Sequence, residues 1–289
     1  MIKTRIEEKS NYRSVWVNGK TLRFQIDHSK PITELEYPEF YDIKVTGTCS
    51  GACPYCYMNS EFTDYHYDDI VGKTRRFFSK MTLNERPYQL AAGGGEPTTH
   101  PDFIEFLKVT KEELDICPNY TTNGMWSYND PSYVNELLDA TDKYCGGVAV
   151  SCHPHLEKYW RKAAELLHDR KVKLNFHIII SDKESIDKFI EIFNEWKDKI
   201  DYFVLLPYGV QGRAKPKDID WEYLVSVFPQ ENKKIAFGAN FYPYLLRNDL
   251  NVKVSLYRPE IFSKFITLED NGKMYKSSFS NEIIKENLF

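Results

Sequence analysis

The sequence predicts an α/β fold: a partial (β/α)6 TIM-like barrel with an N-terminal β-hairpin and a small α+β C-terminal extension. Three observations carry this expectation. Strand-like and helix-like segments alternate from about residue 40 to residue 214, the pattern of parallel βαβ units. Six strand–helix steps are present, fewer than the eight of a closed barrel. The 289 residues, 42% of them hydrophobic, suffice to bury the core of one barrel with appendages.

The elements follow in order. Residues 11–27 read as a hairpin: Val15-Trp16-Val17, a turn at Asn18-Gly19, then Thr21 to Ile26. Residues 1–40 are therefore set apart as an N-terminal β extension. The barrel core, 41–214, opens with a strand at Tyr41 to Val45, followed by a helix over 68–81 and a strand at Tyr88 to Ala92. A helix from His100 to Leu114 places Phe103, Phe106, Leu107 and Val109 roughly on one face, and Asn119 to Thr122 is a short third strand. Pro131 to Ala140 is helical, with Asp130 able to cap it and Pro131 suited to its first turn. Gly147 to Ser151 is the fourth strand, Leu156 to His168 an amphipathic helix, and Val172 to Ile180 the fifth strand. Ser181 or Asp182 starts a helix through Trp196, with Ile186, Phe189, Ile190 and Phe193 on one side, and Tyr202 to Leu206 is the sixth strand. Beyond Gly212 the alternation fades, and Ala214-Lys215-Pro216-Lys217 marks a boundary. Residues 215–289 read as an extension with a helix at 219–228, a strand at 235–241 and a hairpin at 264–276 turned by Asp270-Asn271-Gly272.

Charge narrows the function classes. A net charge of −4 supplies no general basic surface, so no nucleic-acid partner is expected. No apolar run is long enough to span a bilayer, and the charged start of the chain lacks the apolar stretch of a signal peptide. A cytoplasmic protein with no membrane partner is the expectation.

Six cysteines are present, three of them clustered in Gly47-Thr48-Cys49-Ser50-Gly51-Ala52-Cys53-Pro54-Tyr55-Cys56-Tyr57. A disulfide scaffold would be shorter and denser in cysteine. Thiolates at C-x3-C-x2-C spacing are soft ligands that suit iron–sulfur clusters or zinc. Three cysteines leave one iron of a cubane without a protein ligand, whereas structural sites close their coordination with a fourth residue. Spacing alone leaves open a zinc site completed by His66, His153 or His155. Cys117 and Cys145 lie near strand starts and read as structural thiols.

With an aromatic before its last cysteine, this loop resembles the signature of the radical S-adenosylmethionine (SAM) superfamily. Gly94-Gly95-Glu96-Pro97, after the second strand, resembles that family's GGEP motif. Thr98-Thr99-His100-Pro101-Asp102-Phe103 and Thr121-Thr122-Asn123-Gly124 are similar to further stretches of the family. Leu206-Pro207-Tyr208-Gly209-Val210-Gln211-Gly212-Arg213-Ala214 resembles the sixth-strand ending of its peptide-modifying members.

The resemblance implies an enzyme with one [4Fe-4S] cluster that reductively cleaves SAM to methionine and a 5′-deoxyadenosyl radical, which abstracts hydrogen from a substrate. It implies Cys49, Cys53 and Cys56 as iron ligands and Tyr55 near the adenine. It places Gly94, Gly95 and Glu96 at the methionine ammonium, and Ser151 and Thr122 as polar contacts to SAM. His177 joins this cofactor-binding set because alternation puts it, with Asn175, on one face of the fifth strand, either toward a barrel lumen or as a satisfied core histidine. Cys152 and His153, just past the fourth strand with His155, are candidate catalytic residues, Cys152 as a hydrogen-atom donor. The alternative is a loop of ordinary polar residues. A reductant such as flavodoxin or ferredoxin is an implied partner.

Peptide-modifying relatives often carry a C-terminal SPASM or twitch extension with cysteines for auxiliary clusters. The run from Phe265 to Ser278 resembles the hairpin that opens such an extension, but Ser277 or Ser278 stands where relatives place cysteine, and no cysteine follows Cys152. A single cluster is therefore expected. The leading expectation is chemistry on a peptide or protein side chain. A radical SAM enzyme acting on a small molecule or nucleotide, and a non-enzymatic zinc or iron–sulfur module, are the alternatives.

Overall fold

The computed structural model describes residues 2–17, 19–209, 211–215, 217–231, 233–238, 241–245, 250, 259–278 and 280–289. Asn18 of the expected turn, Val210 of the sixth-strand ending, Pro216 at the expected boundary and residues 239–240 of the expected strand at 235–241 lie outside them. The described strands build two sheets.

The first sheet is antiparallel, with β1 (Ile2–Glu7), β2 (Tyr12–Val17) and β3 (Lys20–Gln25) in that order. The expected hairpin is β2–β3, with Gly19 at φ 78° beside the turn. Sequence reading did not assign β1, because the inward residue of that charged stretch is Arg5. Arg5 is buried, donates to the carbonyls of Tyr37, Asn84 and Arg86, and lies over the Tyr88 ring. Those bonds satisfy a charge that would otherwise be costly to bury.

The second sheet holds β4 (Phe40–Thr46), β5 (Gln89–Gly94), β6 (Cys117–Thr122), β7 (Gly147–Ser151), β8 (Lys173–Ile180) and β9 (Tyr202–Pro207), side by side, parallel and in chain order. Between them run α1 (Ile70–Ser79), α2 (Phe103–Glu112), α3 (Pro131–Tyr144), α4 (Glu157–Leu167) and α5 (Lys183–Trp196). The expected helix from His100 is instead a short 3-10 turn at Pro97–Thr99 followed by α2, since Pro101 cannot donate within a helix. Asp130 caps α3 by accepting from the Ser132 N–H, and Asp182 caps α5 through the Ser185 N–H.

The parallel sheet extends beyond the six predicted strands. After α6 (Trp221–Val227), β10 (Ile235–Phe237) pairs with β9, and β11 (Ser263–Thr267) pairs in parallel with β4. Antiparallel β12 (Lys273–Tyr275) and β13 (Ile283–Glu286) follow, and among the described residues the ten-stranded sheet does not close. The expected strand at 235–241 and hairpin at 264–276 contain β10, β11 and β12, but their joining the sheet was not expected, for a physical reason. β10 is only three residues long, and β11 reaches β4 from the far end of the chain with no local alternation to announce it.

β8 shows how the sheet places its chemistry. Leu174, Phe176, Ile178 and Ile180 are buried, while Asn175, His177 and Ile179 alternate with them on the lumen face. Phe176 packs against Trp160, Trp196 and Phe203. Burying a side chain of that size contributes ~2 kcal/mol. The N-terminal sheet covers the other end of the strands: Trp16 stacks on Tyr88, with Cys117 in the same small core. The C-terminal strand ends, where the motif loops sit, are left for a cavity.

Candidate active site

β4 runs into the cysteine loop, and the loop is tied down from several sides. The Cys49 N–H donates to the Glu61 carbonyl at 3.0 Å. From the loop after β9, the Arg213 N–H donates to the Cys56 carbonyl at 3.0 Å, its Nε to the Cys53 carbonyl at 3.2 Å and its Nη2 to the Ser60 carbonyl at 2.8 Å. Gly212 makes this approach possible: at φ +64°, a Cβ there would lie 2.3 Å from the Cys56 carbonyl oxygen.

Cys49, Cys53 and Cys56 line one cavity of about 370 Å³. Burial first, then Glu96, pushes the Cys49 thiol up to about 11. Burial first, then the neighbouring thiols, pushes Cys53 up to about 12 against the pull of Arg213. Metal must therefore displace their protons on binding. The Gly51 N–H, at 3.4 Å, and Asn123 Nδ2, at 3.6 Å, donate to Cys49 Sγ. The thiols are near enough to perturb one another. Zinc needs its ligands within about 2.0–2.3 Å of one point, whereas a cubane takes one thiolate per iron and spreads them wider. The histidines that would complete a zinc site have other contacts: His66 Nδ1 lies 3.4 Å from Thr46 Oγ1, His153 meets Tyr55, and His155 Nε2 donates to the Gly51 carbonyl at 3.0 Å. The donor set fits the cluster.

The glycine run after β5 packs on the entry to the cysteine loop. The Gly95 N–H donates to the Thr46 carbonyl and the Glu96 N–H to the Thr48 carbonyl, both at 2.8 Å. A Cβ on Gly95 would lie 2.0 Å from the Thr48 oxygen, and Gly94 sits at φ +108° against Lys44 and Thr46. Glycine here lets two loops touch. Gly93 alone in the run has open space around a Cβ position and borders the cavity.

Gly94, Gly95 and Glu96 all line the cavity. Glu96 is only 3% exposed. Its Oε1 accepts from Thr98 Oγ1 and Thr122 Oγ1 at 2.7 Å each, and its Oε2 from the Asn123 N–H at 2.7 Å. Burial raises its pKa while these donors oppose the rise. Thr122, expected to contact SAM, also borders the cavity, but its single hydroxyl proton goes to Glu96. A carboxylate so engaged joins the end of β5 to the end of β6.

Tyr55, Ser151, His153 and His177 complete the predicted wall. The Tyr55 hydroxyl lies 3.1 Å from His153 Nδ1, and its ring packs edge-on against Tyr208. Burial pushes His153 and His177 down to about 4, so both are neutral near pH 7. Cys152 does not join them. It is 6% exposed, belongs to the apolar core and has its Sγ 3.7 Å from the Val150 carbonyl. Cys152 is not among the residues lining this cavity; it borders an adjoining pocket with Tyr55, His153 and Tyr208.

Three residues here were not picked from sequence. Asn123 lies in a run that was noticed, and Arg213 in the sixth-strand ending; both act on the cysteine loop across long sequence distances. Asp42 also lines the cavity. Its signal is the alternation of β4, where Tyr41, Ile43 and Val45 are buried and Asp42 and Lys44 fall on the other face.

A family model described as the radical SAM superfamily matches residues 43–196, which include both motif loops. The 7,8-dihydro-6-hydroxymethylpterin dimethyltransferase of Methanocaldococcus jannaschii is 23% identical over 251 residues, covering 86% of this chain but 43% of that protein. A probable GTP 3′,8-cyclase of Saccharolobus islandicus is 27% identical over 239 residues, 73% of this chain and 72% of that one. Streptococcus suis SuiB, solved bound to precursor peptide SuiA, shares the fold at a TM-score of 0.63 and 21% identity, over 88% of this chain and 63% of SuiB. This chain thus spans less than half of the first relative and just under two thirds of SuiB. The family model covers more than half of the sequence and takes in the cysteine loop, the glycine run and β4 to β8, so the chain belongs to the radical SAM superfamily, whose enzymes use a [4Fe-4S] cluster and SAM.

Proposed function

We propose that this radical SAM enzyme holds one cluster on Cys49, Cys53 and Cys56 and acts on a peptide or protein side chain in the cytoplasm. The observation that carries the reading is the shared cavity: three thiols, the glycine run and the end of β9 border the same space. When bound, the cluster and SAM supply an electron and a 5′-deoxyadenosyl radical for hydrogen abstraction. The chain's own residues do the positioning. Arg213 and Asn123 hold the cysteine loop, and Glu96 locks the ends of β5 and β6. Gly93 leaves open space at the cavity wall, where the methionine end of SAM would lie. Tyr55 and Tyr208 wall the cavity, and neutral His153 and His177 offer hydrogen bonds without charge. Such a wall limits water around a reactive species.

The peptide assignment is supported by the sixth-strand ending and by the likeness of fold to SuiB, a protein solved with a precursor peptide. A second reading, a small heterocyclic substrate, draws on the two curated relatives, named for a pterin and for GTP. Six unpaired cysteines suit a reducing compartment, and a flavodoxin or ferredoxin is the proposed electron donor.

The test is anaerobic reconstitution with dithionite and SAM, scored by 5′-deoxyadenosine on chromatography. Wild type is expected to form it, with iron for a single cubane, and Cys53→Ala to form none. Mass spectrometry of peptide and heterocycle panels then separates the two substrate readings. A fully loaded cluster that never yields 5′-deoxyadenosine, with or without these panels, overturns the proposal.

A further inference from the structure

Asp42 stands on the lumen face of β4, in register with Ala91 of β5 and Phe265 of β11. It lies one pleat deeper than Lys44, the partner of Gly93, and so below the glycine run. Its carboxyl borders the same cavity as the cysteines. Burial alone drives its pKa up to about 7, with no hydrogen bond or counter-charge from the described residues acting on it.

Among the described residues the surroundings supply no partner: no described lysine or arginine lines the cavity, and its two histidines are held neutral. The nearby Tyr57 phenol has its pKa raised by burial and by Asp42, and is hydrogen-bonded to Ser278. A half-buried carboxyl on a cavity wall without donors is poorly solvated, and such groups cluster where a ligand supplies what the protein withholds. On the radical SAM reading the methionine ammonium would be met by Glu96 and the glycine run, at the end of β5 on the other side of β4.

We infer that Asp42 is a substrate-recognition carboxylate, and that the group it takes is a protonated nitrogen, an ammonium or guanidinium, on the substrate. This rests on the radical SAM reading above and narrows its substrate class. The nitrogen comes from a lysine or arginine side chain of a peptide, or from a small amine. Either supplies the positive charge that an ionised Asp42 lacks. Phe265 and Ser278, from the C-terminal hairpin, line the same cavity and would border the bound group.

The experiment is calorimetric titration of the anaerobic, SAM-loaded holoenzyme. The probes are acetyl-Gly-Lys-Gly-amide, acetyl-Gly-Arg-Gly-amide, their norleucine and citrulline counterparts, and n-butylammonium chloride. Charged peptides are expected to bind about tenfold more tightly than their uncharged counterparts, a difference that Asp42→Asn erases and Asp42→Glu partly keeps. A peptide source predicts that the charged peptides outbind n-butylammonium; a small-amine source predicts the reverse order. Equal affinities within each pair, or no binding by any charged probe, would overturn the inference. So would a tenfold loss of SAM affinity in Asp42→Asn, which would place the carboxylate on the cofactor. The 5′-deoxyadenosine assay without probes reports separately on the radical SAM reading, since charge-selective binding is measured whether or not SAM is cleaved.

Discussion

Two carboxyl groups border one cavity under opposite conditions. Glu96, on the wall between β5 and β6, accepts from two threonine hydroxyls and a backbone N–H. Asp42, on the wall between β4 and β11, has burial acting on it and no donor or counter-charge from the described residues. The first is architecture: its bonds hold the glycine run and the third-strand ending in one arrangement. The second is an unmet demand. Asp42 is half-buried on the cavity wall, and a carboxyl held there without a donor marks where a ligand is to be sought. The cofactor side is built tight before anything binds, and the opposite side is left unfinished.

Substitutions on the tight side should be the more damaging. Gly95→Ala drives a methyl to within 2.0 Å of the Thr48 carbonyl oxygen, with backbone on both sides and no flexible end to yield. We expect a loss of more than about 3 kcal/mol in urea denaturation of the iron-free protein, and SAM binding too weak to measure. A mild effect would mean that the two loops do not touch in solution. Glu96→Ala leaves two hydroxyls and one N–H without their acceptor, for an expected cost of about 3 kcal/mol by the same method; Glu96→Gln should lose less. Arg213→Ala frees the Cys53 and Ser60 carbonyls, costing about 2 kcal/mol and speeding iron release to a chelator from the holoprotein. Arg213→Lys should restore only part of this, because an ammonium lacks the planar fork that reaches both carbonyls. Unchanged iron release in Arg213→Ala would remove that residue from the tight side.

How much of this was legible in the sequence follows from where the information sits. Cys49, Cys53 and Cys56 could be read because thiolate spacing declares its chemistry without tertiary structure, and the glycine run because little else fits between two touching loops. The six central strands were legible through their alternation. Thr122 was placed at the right wall, but the sequence could not say that its proton goes to Glu96. Cys152 was placed one residue past the strand end, where the chain turns the thiol into the core. Arg213 and Asn123 act on the carbonyls and sulfur of a loop far away in sequence, which only the folded distances reveal. Strands β10 and β11 join the sheet through pairings that no local pattern encodes.

Asp42→Asn is the smallest change and sharpens the comparison most, because it should stabilise the protein. The folded carboxyl titrates at about 7, whereas an aspartate in the unfolded chain titrates near 3.9. Between those values the folded protein keeps a proton that the unfolded chain has released, so stability falls as pH rises. The contribution of Asp42 is therefore fully present below about pH 4, is lost progressively up to about pH 7, and stays lost above it. Asparagine does not titrate. Relative to wild type, the iron-free variant should gain nothing near pH 4 and ~1–2 kcal/mol at pH 8, a figure reduced from the full linkage value because water reaches part of the side chain. Chemical denaturation across that range provides the measurement. Parallel stability curves would mean that Asp42 has a donor after all and that the two walls are alike. A gap that opens with pH, together with lost selectivity for charged probes, would show a residue retained for recognition at the expense of stability.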